Sequence, residues 1–186
     1  NATLDAARLA GLDVRPGDLL DEPTAAALAF ARAVRFEPGE RVLVADWGGG
    51  TLALSVLLFD GRDWTQVALE GDPSLGGDDV DHALAVHVLR ETGLPESLLH
   101  DERNACRLRR EARRVKELLS TSDQADFACG QLHAHDGGEL APLARRVTRT
   151  DLCILLVPLL QRAEEALERC VSHAGVSRDE IRKVLL

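Results

Sequence analysis

Methionine is absent from this chain of 186 residues. Residue 1 is therefore not expected to be a translation start. With the apolar ending Lys183-Val184-Leu185-Leu186, the sequence reads as a piece of a longer protein. No uncharged stretch approaches the roughly 20 residues needed to cross a bilayer. The opening residues lack the charged, apolar and small-residue regions of a secretory signal. Basic excess is lacking too: 22 Lys+Arg stand against 31 Asp+Glu, a net charge of −9. Affinity for phosphate backbones and anionic lipid comes from clustered Lys and Arg, so neither nucleic acid nor membrane is an expected partner. Of the cysteines, Cys106, Cys129, Cys153 and Cys170, no pair forms C-x-x-C. Neither zinc nor a redox pair is signalled, and scattered buried thiols in a reducing cytoplasm are expected. Internal repeats and low-complexity tracts are absent.

What is present is a globular balance, 45% hydrophobic and 28% charged, in a length that can bury a core. Leu4, Ala7, Leu9 and Leu12 approach helical spacing, and Gly11 and Pro16 close that segment. Pro23 opens an Ala-rich helix over 24–34, broken by Pro38-Gly39. Arg41 to Asp46 is a short apolar run bounded by turn residues and reads as a buried strand. Leu52 to Phe59 is a second strand, Asp60-Gly61 a hairpin signal, and Trp64, Val67 and Leu69 a third strand whose uneven spacing predicts a kink or bulge. A glycine-rich loop, Gly71 to Gly77, leads to helices over 78–92, 95–101 and 103–120. In the last of these Leu108, Ala112, Val115 and Leu119 share one face. Residues 125–146 read as a hairpin folded at Asp136-Gly137-Gly138. Thr148 caps the longest helix, 149–174, which Pro158 should kink or split. Gly175 ends it, and 183–186 starts one more strand.

Gly48-Gly49-Gly50 follows the first buried strand. Glycines tolerate positive φ and put no Cβ in the way of a ligand, so successive N–H groups can face phosphate oxygens. Asp46 can hold Mg²⁺ through water beside those phosphates, and Thr51 adds a hydroxyl. A plain hairpin turn with no ligand fits the glycines equally well. The order strand–glycine turn–strand demotes a dinucleotide fold, which needs a helix after the glycines, and G-K-[ST] is absent.

Four segments in order resemble the DnaK-type heat-shock chaperones, the seventy-kilodalton heat-shock protein family. Asp21-Glu22-Pro23-Thr24-Ala25-Ala26-Ala27 looks like their N-E-P-T-A-A-A segment, and Asp46-Trp47-Gly48-Gly49-Gly50-Thr51 like their D-L-G-G-G-T turn. Gly71-Asp72-Pro73-Ser74-Leu75-Gly76-Gly77-Asp78-Asp79-Val80-Asp81 is similar to G-D-x-x-L-G-G-x-D-F-D, and Arg107 through Ser120 to the family's adenosine helix. Ile181 to Leu186 resembles the strand before its adenosine loop. The resemblance implies an α/β, actin-like (ribonuclease H-like) ATPase fold in two lobes. Residues 1–35 would be the last helices of lobe I, 36–75 and 156–186 the larger subdomain of lobe II, and 76–155 its smaller subdomain.

Carried over by position, the resemblance assigns ATP or ADP with Mg²⁺ as cofactors. Gly48, Gly49, Gly50 and Thr51 would meet the phosphates, with Gly76 and Gly77 approaching from the loop. Arg113, Lys116, Glu117 and Ser120 would flank the adenosine. Asp46 and Glu22 would act on the Mg²⁺ shell and the attacking water. Clients, a co-chaperone and an exchange factor are the implied partners of the longer protein. Read without the motif, Lys116 is a solvated helix residue and Glu22 a helix-dipole carboxylate. Three departures stand out. Ala53 replaces the family's Asp two residues after the turn's Thr, which should weaken hydrolysis. Arg113 replaces a Glu and cannot accept hydrogen bonds from ribose hydroxyls, although it can stack on a base. Trp47 replaces Leu. Two alternatives follow: a non-catalytic nucleotide-sensing module on the same fold, or another actin-like ATPase such as a sugar kinase. By itself this chain is expected to show little or no turnover and at best weak nucleotide affinity.

Overall fold

The computed structural model describes residues 2–134 and 137–186. Asp136, at the tip of the expected hairpin, lies outside the described residues. The chain is a mixed α/β protein: α1 (Ala2–Leu9), α2 (Glu22–Phe30), β1 (Arg41–Trp47), β2 (Leu52–Phe59), β3 (Trp64–Asp72), α3 (Gly77–Glu91), α4 (Glu102–Leu119), β4 (Gln124–Cys129), β5 (Leu143–Thr148), α5 (Arg149–His173) and β6 (Ile181–Leu185). It divides into two compact units. The first is Asn1–Ala45, Leu54–Glu70 and Glu168–Leu186; the second is Asp46–Ala53 and Gly71–Leu167.

In the first unit the strand order is β3-β2-β1-β6. Short turns join β1 to β2 and β2 to β3, which is the geometry of an antiparallel meander. β6 pairs with β1 in parallel, Leu43 opposite Val184 and Val44 opposite Leu185. Gly61 takes φ 104° in the β2–β3 turn, and Asp60 Oδ1 accepts the amides of Arg62 and Asp63. Val42, Val44 and Leu57 bury one sheet face with Ala27, Phe36 and Leu185. Phe36 meets Trp64 edge-on at 4.9 Å between ring centroids, and Phe59 lies 4.9 Å from the same indole. Lys183 pairs with Glu40 and covers the Phe36 ring at 4.8 Å, a cation–π contact. α2 begins at Glu22, earlier than expected, because Asp21 is its N-cap and accepts the Thr24 amide at 3.0 Å.

β3 corrects one expectation. It continues through Gly71 and Asp72 rather than yielding to a loop at Gly71. A Cβ on Gly71 would stand 2.3 Å from the Leu52 carbonyl oxygen, so only glycine keeps the chain in the strand at that approach. The uneven spacing of Trp64, Val67 and Leu69 reflects two faces: Ala68 is buried with Trp64 half-buried, while Val67 and Leu69 are exposed. Alternation of period 2 accounts for this spacing.

The second unit packs α3 and α4 against the antiparallel pair β4–β5, Phe127 opposite Arg145. Val80, Leu84 and Val88 of α3 meet Leu108, Ala112, Val115 and Leu119 of α4 around a fully buried Phe127. Thr148 and Asp151 cap α5 reciprocally: the Thr148 amide donates to Asp151 Oδ2 at 2.8 Å and the Asp151 amide to Thr148 Oγ1 at 3.1 Å. α5 is not split at Pro158. Pro158 and Ile154, whose carbonyl would accept the missing hydrogen bond, are both exposed, so water can serve that carbonyl. Cys129 and Cys170 are buried as expected, but Cys106 and Cys153 are exposed; all four are free thiols.

Glu111 joins α4 to β4. Arg114 donates to it twice, at 2.6 and 2.9 Å, and the Ala128 amide donates at 2.9 Å. The Arg114 guanidinium, helped by that amide and opposed by burial, holds the carboxyl below the ordinary glutamate range. A depressed carboxyl stabilises the fold above the unfolded value and loses that contribution as pH falls through the folded one. Glu111→Gln is expected to cost about 1–2 kcal/mol at neutral pH and to flatten the acid limb. Urea midpoints from pH 7 to pH 3 measure both.

Candidate functional site

β1 ends in Asp46 and Trp47, both exposed, and the chain turns through Gly48–Thr51 into β2. The Gly48 amide closes the turn on the Thr51 carbonyl at 2.9 Å. Two more hydrogen bonds fix it from the start of α3: the Gly77 amide donates to the Gly48 carbonyl at 3.0 Å, and the Asp78 amide to the Gly49 carbonyl at 2.7 Å. A trans peptide points its C=O and its N–H in opposite directions, and no peptide here is cis. With the Gly48 and Gly49 carbonyls turned toward α3, the N–H groups of Gly49 and Gly50 turn away from it. Among the described residues, the amides of Gly49, Gly50 and Thr51 donate to nothing, and all three residues are exposed. None of the three glycines uses positive φ. Nor does crowding demand glycine at these positions: a Cβ on Gly49 or Gly50 would meet nothing within 4 Å, and one on Gly48 nothing nearer than 3.7 Å.

Gly76 differs. A Cβ there would lie 2.4 Å from the Gly49 oxygen and 2.6 Å from the Gly50 nitrogen. The N-cap of α3 therefore rests directly on the turn's backbone. The Gly76 amide donates to Asp79 Oδ2 at 2.8 Å. Gly76 and Gly77 thus back the turn from behind, with their own amides satisfied within the unit.

From α4, Lys116 reaches this loop. Its Nζ donates to the Gly77 carbonyl at 2.8 Å and pairs with Asp81 Oδ1 at 2.7 Å. Asp81 is almost wholly buried; desolvation pushes its carboxyl up, and the hydrogen bond from Lys116 pulls it down. One turn earlier, Arg113 donates to Glu117 at 3.1 Å, and this exposed pair raises the arginine further. Ser120, at the C-cap, donates to the Glu117 carbonyl at 2.6 Å. The second unit thus holds every candidate residue except Glu22, which is the exposed first residue of α2 in the first unit. Among the described residues no group of three His, Cys, Asp or Glu forms a metal cage, and no helix is long and apolar enough to cross a membrane.

The family model described as "Hsp70 protein" matches residues 1–186. This chain belongs to the Hsp70 family. Its Hsp70 relatives include proteins named "Chaperone protein HscA homolog". That of Burkholderia thailandensis is 40% identical over 187 residues, covering 100% of this chain and 28% of the relative. That of Methylibium petroleiphilum is 41% identical over 187 residues, with the same coverage. That of Pseudomonas putida is 37% identical over 185 residues, covering 100% and 27%. The chain thus spans little more than a quarter of the length of these Hsp70 relatives.

Two residues of this Hsp70 chain had no role before the structure. Asp81 ends the segment similar to G-D-x-x-L-G-G-x-D-F-D, but spacing alone does not reveal that Lys116, 35 positions on, is its partner. Arg162 is one polar residue in a long apolar-periodic helix. It donates to Asp72 Oδ2 through Nε at 3.1 Å and Nη2 at 2.7 Å, and to the Ser74 carbonyl at 2.8 Å. No local signal marks it, because its partners lie about 90 residues away in sequence.

Proposed function

We propose that this chain is the lobe II part of an Hsp70 ATPase domain with the actin-like fold. In that reading 36–75 and 156–186 form the larger subdomain, 76–155 the smaller, and 1–35 the last helices of lobe I. The observation that carries it is the row of unbonded amides at the exposed residues Gly49, Gly50 and Thr51, with the Gly48 and Gly49 carbonyls tied back to α3. Three donors in a row suit the oxygens of a polyphosphate. The residues present also suit the cation: Mg²⁺ keeps most of its water and uses one or two carboxylates beside phosphate oxygens, and Asp46 offers an exposed carboxylate at the edge of the turn. Glu22 keeps its assignment to the attacking water. Lys116 and Ser120 flank the adenosine, with Arg113 and Glu117 on the same exposed stretch of α4.

A bound nucleotide supplies the triphosphate whose hydrolysis shifts the domain between open and closed states; the protein's part is to position and to screen charge. Clients, a co-chaperone and an exchange factor would then sense that state in the longer protein. Ala53 and the Arg113–Glu117 pair favour a second reading, in which nucleotide acts as a switch with slow or no hydrolysis. Titration calorimetry with ATP, with Mg²⁺ and with EDTA, tests the proposal. This chain is expected to bind MgATP weakly, without turnover above background. Asp46→Ala should weaken binding about tenfold in Mg²⁺ and leave it unchanged in EDTA, a difference of about 1.4 kcal/mol. No binding of either form at millimolar nucleotide would remove the reading; binding with no single-turnover hydrolysis in the longer protein would favour the switch.

A further inference from the structure

The 72–78 segment sets which way the turn's amides point, since the Gly77 and Asp78 amides hold the Gly48 and Gly49 carbonyls. What holds that segment is therefore part of the site. At its end Gly76 is wedged on the Gly49–Gly50 peptide, and in its middle Leu75 is fully buried. At its start, Asp72 uses both carboxylate oxygens. Oδ1 accepts the Ser74 amide at 2.9 Å, closing a tight local turn. Oδ2 accepts Nε and Nη2 of Arg162 from the middle of α5, and Nη2 also donates to the Ser74 carbonyl. One planar guanidinium thus grips the side chain of one residue and the backbone of another two positions on. A lysine ammonium offers neither the fork nor its fixed plane.

We infer that Arg162 is a positioning residue for the phosphate-facing turn: through Asp72 and Ser74 it holds the 72–78 segment against Gly48 and Gly49, and so sets affinity for the triphosphate far more than for the nucleoside, since Lys116 keeps its pairing with Asp81 when its bond to the Gly77 carbonyl loosens. The inference rests on the proposed function for the ligand but not for the clamp, and the two separate in the test. Arg162 touches no residue assigned to the phosphates, so its effect passes entirely through the loop. Loosening the loop frees the Gly48 and Gly49 peptides to rotate. Rotation re-aims the Gly49 and Gly50 amides, a loss of preorganisation that a polyphosphate feels more than adenosine does.

The experiment compares this chain as wild type, Arg162→Ala, Arg162→Lys and Asp72→Asn. Amide hydrogen exchange is followed by NMR without ligand, and ATP and adenosine are titrated separately. In Arg162→Ala the Gly77 and Asp78 amides are expected to exchange about tenfold faster while core amides of α4 keep their rates. Affinity for MgATP should fall about tenfold and affinity for adenosine stay within about twofold. Arg162→Lys, which keeps the charge and loses the fork, should fall between wild type and alanine, and it decides the matter if the alanine variant does not fold. Unchanged exchange at Gly77 and Asp78 in a folded variant overturns the inference. Equal loss for ATP and adenosine, with faster exchange throughout the unit, also overturns it, because Arg162 would then be supporting the fold generally. If the wild type binds neither ligand, the nucleotide reading fails, while the exchange rates still decide whether Arg162 holds the loop.

Discussion

Gly76→Ala is expected to destabilise the second unit by about 3 kcal/mol and to abolish measurable nucleotide binding. The new methyl would sit 2.4 Å from the Gly49 oxygen and 2.6 Å from the Gly50 nitrogen. Both are backbone atoms of a turn fixed at Gly48 and Gly49 by the first amides of α3. Neither can rotate away as a side chain end would, so the N-terminus of α3 and the turn must separate. Separation breaks the two hydrogen bonds that aim the turn's amides. Gly49→Ala is the informative control. A Cβ at Gly49 meets nothing within 4 Å and the residue does not use positive φ, so stability should change by less than about 1 kcal/mol. Thermal melts of the two variants, with circular dichroism of the native baseline, separate a local collision from a general intolerance of side chains in the turn.

The second large effect falls on Lys116. Lys116→Ala leaves the Asp81 carboxylate buried without its cation and frees the Gly77 carbonyl, at an expected cost of about 3 kcal/mol at neutral pH. The pH dependence identifies the cause. Desolvation already holds the Asp81 carboxyl above the ordinary aspartate range, with Lys116 opposing it; without Lys116 it rises further. A carboxyl raised in the folded state favours folding fully below its unfolded value and loses that contribution as pH climbs through the folded one. The deficit of Lys116→Ala should therefore shrink as pH falls from 7 toward 5. Asp81→Asn keeps an oxygen for the Lys116 ammonium and removes the buried charge, so it should cost less than about 1 kcal/mol. Guanidinium unfolding of the three proteins at several pH values gives the comparison. A deficit that does not vary with pH would mean that the lost lysine stem, and not the stranded carboxylate, dominates.

Much of the architecture was legible because it rests on local periodicity. The face of Leu108, Ala112, Val115 and Leu119 made α4 readable, apolar runs between turn residues made β1 and β2 readable, and Thr148 and Gly175 marked the ends of α5. Partners distant in sequence were not legible. Gly71 looked like a loop residue because its reason for being glycine, the Leu52 carbonyl, belongs to another strand. Pro158 looked like a break because sequence does not show that the orphaned carbonyl of Ile154 lies on an exposed stretch. Lys116 read alone as a solvated lysine, and only the surrounding motif argued otherwise; its bonds to Asp81 and Gly77 span more than thirty residues. The three glycines marked the turn, but none of them uses positive φ; the position that needs glycine for close approach is Gly76, and the turn's orientation is set by α3. Arg162 carried no signal at all.

The account turns on where the Gly49, Gly50 and Thr51 N–H groups point and what they meet. Amide NMR of this chain, titrated with MgATP and separately with adenosine to several millimolar, measures that directly. The predicted result is a saturable shift and slowed exchange at those three amides with MgATP, absent with adenosine, while the Gly77 and Asp78 amides, already bonded to the turn, keep their protection. Amides of Gly49, Gly50 and Thr51 that stay unmoved while nucleotide shifts other parts of the chain, or while nothing shifts, would contradict it.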